Sequence, residues 1–96
     1  MAVDEANKPV VFTKHAREKM ADRGVSEKEV VEAIRIGRRE RGQRGLWQYR
    51  LNLEYQAMWA GKLYGIKQVA PIVAEEADRH IVITVYSFYF REGTRK

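Results

Sequence analysis

Apolar positions along the chain change their spacing once, and the change divides it into a helical part and a strand part. Phe12, Ala16 and Met20 recur four apart, and Val30, Val31, Ala33 and Ile34 then fill one helical stripe. Thr13 is suited to cap the first helix and Gly24 to take the left-handed conformation that ends it, so the spacing predicts a helix over 14–23. Ser26 followed by Glu29 has the spacing of a capping box, Val25 and Val30 are placed as its hydrophobic staple, and Gly37 is the natural stop. These signals predict a second helix over 27–36. Only Gly24, Val25 and Ser26 separate the two helices, which makes a compact corner.

From Gly37 to Gly45 the chain is an arginine-rich linker, and beyond it the period is two. In LWQYRLNL, residues 46–53, Trp47, Tyr49, Leu51 and Leu53 alternate with Gln48, Arg50 and Asn52, the pattern of a strand with one apolar and one polar face. YQAMW, residues 55–59, either continues that strand or forms a short second one that turns at Gly61. LYGIKQVAPIVAEE, residues 63–76, reads as a long strand in which Pro71, having no N–H for a ladder, implies an edge position or a bulge. EEADRH, residues 75–80, reads as a polar hairpin connection, with His80 a solvated turn residue. IVITVYSFYF, residues 81–90, is β-branched and aromatic throughout and reads as a central strand covered on both faces. The expected architecture is therefore α+β: two N-terminal helices packed on one face of a three- to four-stranded antiparallel β-meander. One domain is expected over residues 1–96, with 1–11 and 91–96 as frayed tails.

Hydrophobic residues at 45% beside charged residues at 32% exclude a disordered chain. No stretch has the length of a signal peptide or the roughly 18 apolar residues of a membrane span, so a cytoplasmic protein is expected. With no cysteine, disulfides, thiolate metal sites and thiol nucleophiles are closed. The net charge of +5 gains meaning from its distribution: Arg35, Arg38, Arg39, Arg41 and Arg44 fall within ten residues and are opposed locally only by Glu40. Such clustering points to a polyanionic partner.

Two constellations could carry chemistry. His15, Lys19 and Arg23 lie at i, i+4 and i+8, making a basic edge beside the core stripe. Either His15 fills the helix–sheet boundary while Lys19 reaches outward, or the edge serves acid–base work and phosphate binding, since imidazole both takes and gives a proton near neutrality. On the strands, Gln48, Arg50 and Asn52 share one face, and Val82, Thr84, Tyr86 and Phe88 share another. If Arg50 and Tyr86 point to the same side, a guanidinium clamps a phosphate while a ring stacks a base; otherwise Arg50 covers apolar surface and Tyr86 is core. Arg38, Arg39, Arg41 and Arg44, with Gln48, would track a phosphate backbone, while Arg35 and Arg38 also suit the dipole of a helix end. The carboxylates are scattered and the two histidines far apart, without metal-ligand spacing, and no glycine-rich phosphate loop is present. No metal or cofactor is expected.

The pattern His15-Ala16-x-x-Lys19-Met20-x-x-Arg23-Gly24-Val25-Ser26, followed by an acidic capping residue, an aliphatic helix and the closing Ile83-Thr84-Val85-Tyr86, resembles the family called domain of unknown function 4258. The similarity spans about residues 12–87. That family is similar to the metal-independent ribonucleases that group barnase, certain colicins and RelE-type toxins. The resemblance implies a RelE-like fold and RNA cleavage by attack of a ribose 2′-hydroxyl on the adjacent phosphate. It implies His15 in proton transfer, Lys19, Arg23 and Arg50 as phosphate ligands, and Tyr86 as a stacking or proton-shuttling group. A non-catalytic module binding RNA or protein is the alternative. A third reading has an exposed edge near Pro71 pairing with an antitoxin-like protein or with a second copy of the chain.

Overall fold

A computed structural model describes residues 8–91. The first helix, α1 (Lys14–Arg23), begins where the Thr13 hydroxyl accepts from the Ala16 N–H, and it stops at Gly24. Gly24 has φ 69°, and its own N–H returns to the Met20 carbonyl. The second, α2 (Glu27–Ile36), opens with the expected capping box: Glu29 N–H donates to Ser26 Oγ at 3.1 Å and Ser26 N–H to Glu29 Oε1 at 3.0 Å. Both helices arise from local signals, and both lie where the periodicity predicts. No helix among the described residues is long and apolar enough to cross a membrane.

The sheet has five strands rather than three or four: β1 (Val10–Phe12), β2 (Arg38–Arg41), β3 (Trp47–Trp59), β4 (Lys62–Glu75) and β5 (His80–Phe90). Their order is β1-β5-β4-β3-β2, and the sheet is mixed, because β1 runs parallel to β5 while the other neighbours are antiparallel. The expected meander is thus its centre, β3-β4-β5, with a short strand added at each side. Neither addition carries a readable period: β1 has three residues, and β2 lies inside the supposed linker with the sequence Arg-Arg-Glu-Arg. Charge on an edge strand discourages further pairing while leaving its inner ladder intact. Of the N-terminal residues expected to fray, Val10 and Val11 pair with β5, and Lys8 is buried with Nζ donating to the Glu76 carbonyl at 2.7 Å. Tail positions 1–7 and 92–96 lie outside the described residues.

Two irregularities shape the central strands. Residues 47–59 form one strand, kept continuous by a bulge between Glu54 and Ala57 where Gln56 has φ 49°. Pro71 is wholly buried on β4, between β3 and β5, so the edge expected there does not exist. An irregularity does lie nearby: the register with β5 shifts between Ile72 and Val73, one residue beyond the proline, leaving Ile83 of β5 as the extra residue. The shift turns Val82 toward the core, out of the face it was expected to share with Thr84, Tyr86 and Phe88.

Both helices cover one face of the sheet, α1 over β5 and α2 over β3 and β4. Ala16, Met20, Val30, Ala33 and Ile34 meet Tyr49, Val69, Val73, Val82 and Val85 in a single core. Within this apolar layer lies Lys67, a residue the strand pattern does not single out, only 3% exposed. Its ammonium donates to the Gly24 carbonyl and to Glu29 Oε1, the latter at 2.8 Å, and so ties the helix corner and the α2 cap to β4. Beside it Ser87 Oγ and Tyr89 OH donate to the Arg23 carbonyl at 3.0 and 2.8 Å, and Trp59 stacks on Tyr89 with ring centres 4.9 Å apart. Among the described residues, β5 has no strand on its outer side beyond Val82. The start and end of α1 supply partners there: Thr13 Oγ1 donates to the Ile83 carbonyl at 3.2 Å and Arg23 Nη1 to the Val85 carbonyl at 2.8 Å.

Removing the ammonium leaves the Gly24 carbonyl and the Glu29 carboxylate without that donor. Lys67→Met, which keeps the aliphatic stem, is expected to lower stability by about 3 kcal/mol in urea unfolding; a loss below about 0.5 kcal/mol would show that apolar contacts alone hold the corner. Burial, aided by the neighbouring Tyr55 and Glu29 and opposed by the Ser87 hydrogen bond, raises the Tyr89 phenol above its ordinary value of 10.0. The fold therefore favours the neutral phenol, a contribution complete below the unfolded value and lost as pH rises through the higher folded one. Tyr89→Phe is expected to flatten the fall in unfolding midpoint between about pH 9 and about pH 11; an unchanged fall would assign it to other groups.

Candidate nucleic-acid interface

The sheet face turned away from the helices has no layer over it among the described residues, and the register sets its side chains in rows. Arg38 pairs with Arg50 and Ala70 with Tyr86, and since Gln48 pairs with Ile72 and Leu51 with Val69, Arg50 falls beside Ala70. The row before it reads Glu40, Gln48, Ile72, Thr84, and the row after it Asn52, Gln68, Phe88. One half of the face is thus polar and lies on β2 and β3; the other half is aromatic and lies on β5. Tyr86, Phe88 and Phe90 are 40%, 41% and 36% exposed, enough for a planar ligand to reach their rings. The expectation that β5 is covered on both faces fails for this reason: the helices cover one side only.

Arg50 and Tyr86 do share this face, at the two ends of a row with only the methyl of Ala70 between them. Arg50 is held in place: Nε donates to Glu40 Oε2 at 2.6 Å, Nη1 donates to Gln68 Oε1 at 2.9 Å, and its guanidinium carbon lies 5.9 Å from the Phe88 ring centre. Gln68 is fixed in turn by donating to Asn52 Oδ1 at 2.8 Å. Arg23 reaches around the strandless edge of β5 and sets its guanidinium 4.8 Å from the Tyr86 ring centre. A cation and an aromatic ring are joined there by a cation–π contact, with Nη1 committed to the Val85 carbonyl.

The remaining residues of the α1 edge are placed differently. His15 is exposed and Lys19 half-buried. His15 therefore does not fill the helix–sheet boundary; it stands on the solvent side of α1, while Ala16 and Met20 take the core positions. The structure thus brings Arg23 and Tyr86 into contact, sets Arg50 on the Tyr86 face, and leaves His15 and Lys19 on the helix.

The arginine cluster divides between the two faces. Arg38 is largely exposed, with the Glu40 carboxylate 4.0 Å away. Arg39 and Arg41 lie on the helix side, over the Trp47 ring at 4.0 and 5.2 Å, and Arg39 also pairs with Glu75 at 3.2 Å. Arg44 sits in the 3-10 turn Gln43–Gly45 with φ 59°, a left-handed conformation unusual for a side-chain-bearing residue. That turn and the residues around it wall an open cavity of about 610 Å³ whose floor includes Gln48, Ile72 and Thr84.

His80 overturns its reading as a solvated turn residue. It is 2% exposed, its backbone N–H donates to the Pro9 carbonyl at 2.9 Å, and the ring Nε2 lies 3.1 Å from Glu75 Oε2. Nδ1 has no hydrogen-bond partner among the described residues, and the ring meets Tyr49 edge-on at 6.5 Å. Pairing with β1 is what buries it, and β1 is the strand the pattern could not show. Among the described residues no three His, Asp or Glu side chains converge as a metal site requires. Sequence reasoning also missed Glu40 and Gln68 as partners of Arg50. The alternation Ile66, Gln68, Ala70, Ile72 places Gln68 on this face, but nothing local says which strand lies beside it.

Residues 12–87 match the family model described as Domain of unknown function (DUF4258). No curated protein and no solved structure matches the chain. Because Arg50 and its partners lie at the surface, Arg50→Ala is expected to change unfolding free energy by less than about 1 kcal/mol. A larger loss in urea unfolding would make this network a structural clamp rather than a ligand-facing one.

Proposed function

The chain belongs to the DUF4258 family, whose model spans most of its length, and from that premise we propose that it is a metal-independent endoribonuclease. Single-stranded RNA lies across the uncovered sheet face, with Arg23 and Arg50 against its phosphates and Tyr86 stacked on a base. The ribose 2′-hydroxyl attacks the adjacent phosphorus, the bond to the 5′-oxygen breaks, and the products are a 2′,3′-cyclic phosphate and a 5′-hydroxyl. One proton leaves the 2′-oxygen and one reaches the 5′-oxygen; His15 takes part in this transfer on a strand that wraps the outer edge of β5 from the open face, past Arg23, onto the solvent side of α1, where Lys19 supplies positive charge. The observation that carries the reading is the contact of Arg23 with Tyr86, which joins the basic edge of α1 to the aromatic half of the sheet.

A second reading, an RNA-binding module without catalysis, is favoured by the hydrogen bonds of Arg50. A guanidinium already paired with Glu40 and Gln68 is better suited to positioning a strand than to stabilising charge that develops in a transition state.

The discriminating measurement is incubation of the pure protein with RNA in EDTA. Cleavage leaving cyclic phosphate ends is expected. His15→Ala is expected to slow it by about 100-fold or more with a nearly unchanged thermal midpoint, the side chain being exposed. Salt-sensitive binding with no cleavage would sink the nuclease and leave the module; neither binding nor cleavage would point to a protein partner, an antitoxin-like chain or a second copy.

A further inference from the structure

The arginines near β2 suggest an interface that grips phosphate without reading sequence, yet the cavity beside them is built for more than phosphate. Its volume of about 610 Å³ lies within the roughly 300–1,000 Å³ of small-ligand pockets. Gln48 and Thr84 stand on either side of Ile72 in one sheet row, and with two strand spacings between them they are roughly 10 Å apart. Ile72, Ile83 and Leu46 supply apolar surface, and the Tyr86 ring closes one side, held from behind by Arg23. Arg44 lies in the turn that forms the rim, and no carboxylate lines the cavity. A partly apolar, open cavity with an aromatic wall, the amides of Gln43 and Gln48, the Thr84 hydroxyl, and Arg41 and Arg44 along its rim matches a planar heterocycle that carries a phosphate. The left-handed Arg44, followed by Gly45 at φ 75°, is the local distortion that folds the turn over this end of the sheet.

We infer that this cavity is a nucleotide site: the base of one residue of the RNA enters between Gln48, Thr84 and Tyr86, and its phosphate meets Arg44. The inference rests on the proposed RNA reading and deepens it, since it makes the chain selective among bases. Gln48 has both a donor and an acceptor, and Thr84 has a hydroxyl that serves as either, so together they can discriminate the edge of one base from another. Arg23, Arg38 and Arg50 contact phosphates and are indifferent to sequence.

The test is titration of the ¹⁵N-labelled full chain with adenosine, guanosine, cytidine and uridine 5′-monophosphates, observed by amide chemical shifts. One of the four is expected to bind most tightly, saturably shifting the amides of Gln43, Arg44, Gln48 and Thr84. Gln48→Leu is expected to weaken that nucleotide by about tenfold and to erase the preference. Arg44→Ala, in an exposed turn, is expected to remove the advantage of the nucleotide over its nucleoside, and Thr84→Val gives an independent check should Gln48→Leu perturb β3. The absence of saturable shifts at these amides overturns the site even if RNA is bound or cut, as does a preference unchanged in both Gln48→Leu and Thr84→Val. Mononucleotide binding by a chain that neither binds nor cuts RNA would support the site and overturn the RNA reading.

Discussion

The ammonium of Lys67, buried under the helix corner, is the contact on which the arrangement of layers depends. A charge placed there is costly unless its donors are used, and here they are used by the Gly24 carbonyl at the end of α1 and by the Glu29 carboxylate at the start of α2. The same Glu29 oxygen accepts from Ser26, so one carboxylate closes the α2 cap and anchors the helix to β4. Gly24 leaves no alternative geometry: a Cβ at that position would stand 2.5 Å from the Trp59 ring. Corner, cap and long hairpin are therefore fixed to one another at a single place.

That junction sets the position of Arg23. Its carbonyl is gripped by Ser87 and Tyr89, which fixes where α1 ends; its side chain then wraps the outer edge of β5 and reaches the Tyr86 ring on the far side of the sheet. One residue thus belongs to the helix layer by its backbone and to the open face by its guanidinium. This crossing is possible because β1 is short. It pairs with β5 only as far as Val82, and the next carbonyls, of Ile83 and Val85, turn to Thr13 and Arg23 in place of a strand.

The open face owes its composition to a change of phase. Were β4 and β5 paired without interruption, Val82 would join Thr84 and Tyr86 on the uncovered side; the bulge after Pro71 sends Val82 into the core instead. The rows that result set arginine and amide side chains on β3 against aromatic rings on β5, with Ala70 and Ile72 as the floor between. Polar groups there serve to orient one another, as Arg50, Glu40, Gln68 and Asn52 do, and a nucleic acid strand would meet a surface already organised. Arg39 and Arg41, although part of the same cluster in sequence, stack on Trp47 behind the sheet, so the density of arginine along the chain overstates the charge offered to any one ligand.

Local sequence alone determined the two helices, their caps, the tight corner and the stretches that become the long strands, though not that residues 55–59 continue β3, because periodicity and capping involve residues within a turn or two of one another. It also determined which side chains of β3 point away from the core, so that Gln48, Arg50 and Asn52 were legible as a face, and Thr84, Tyr86 and Phe88 likewise. The tertiary structure decided everything that depends on which strands are neighbours. It added β1 and β2, whose three and four residues are too few to show a period. It buried His80 against β1, moved Pro71 from an expected edge to the centre, and placed Lys67 under residues some forty positions earlier. The Arg23–Tyr86 contact and the cavity between Gln48 and Thr84 arise in the same way. Each joins segments that share no local signal, and only the burial of the common core brings them together.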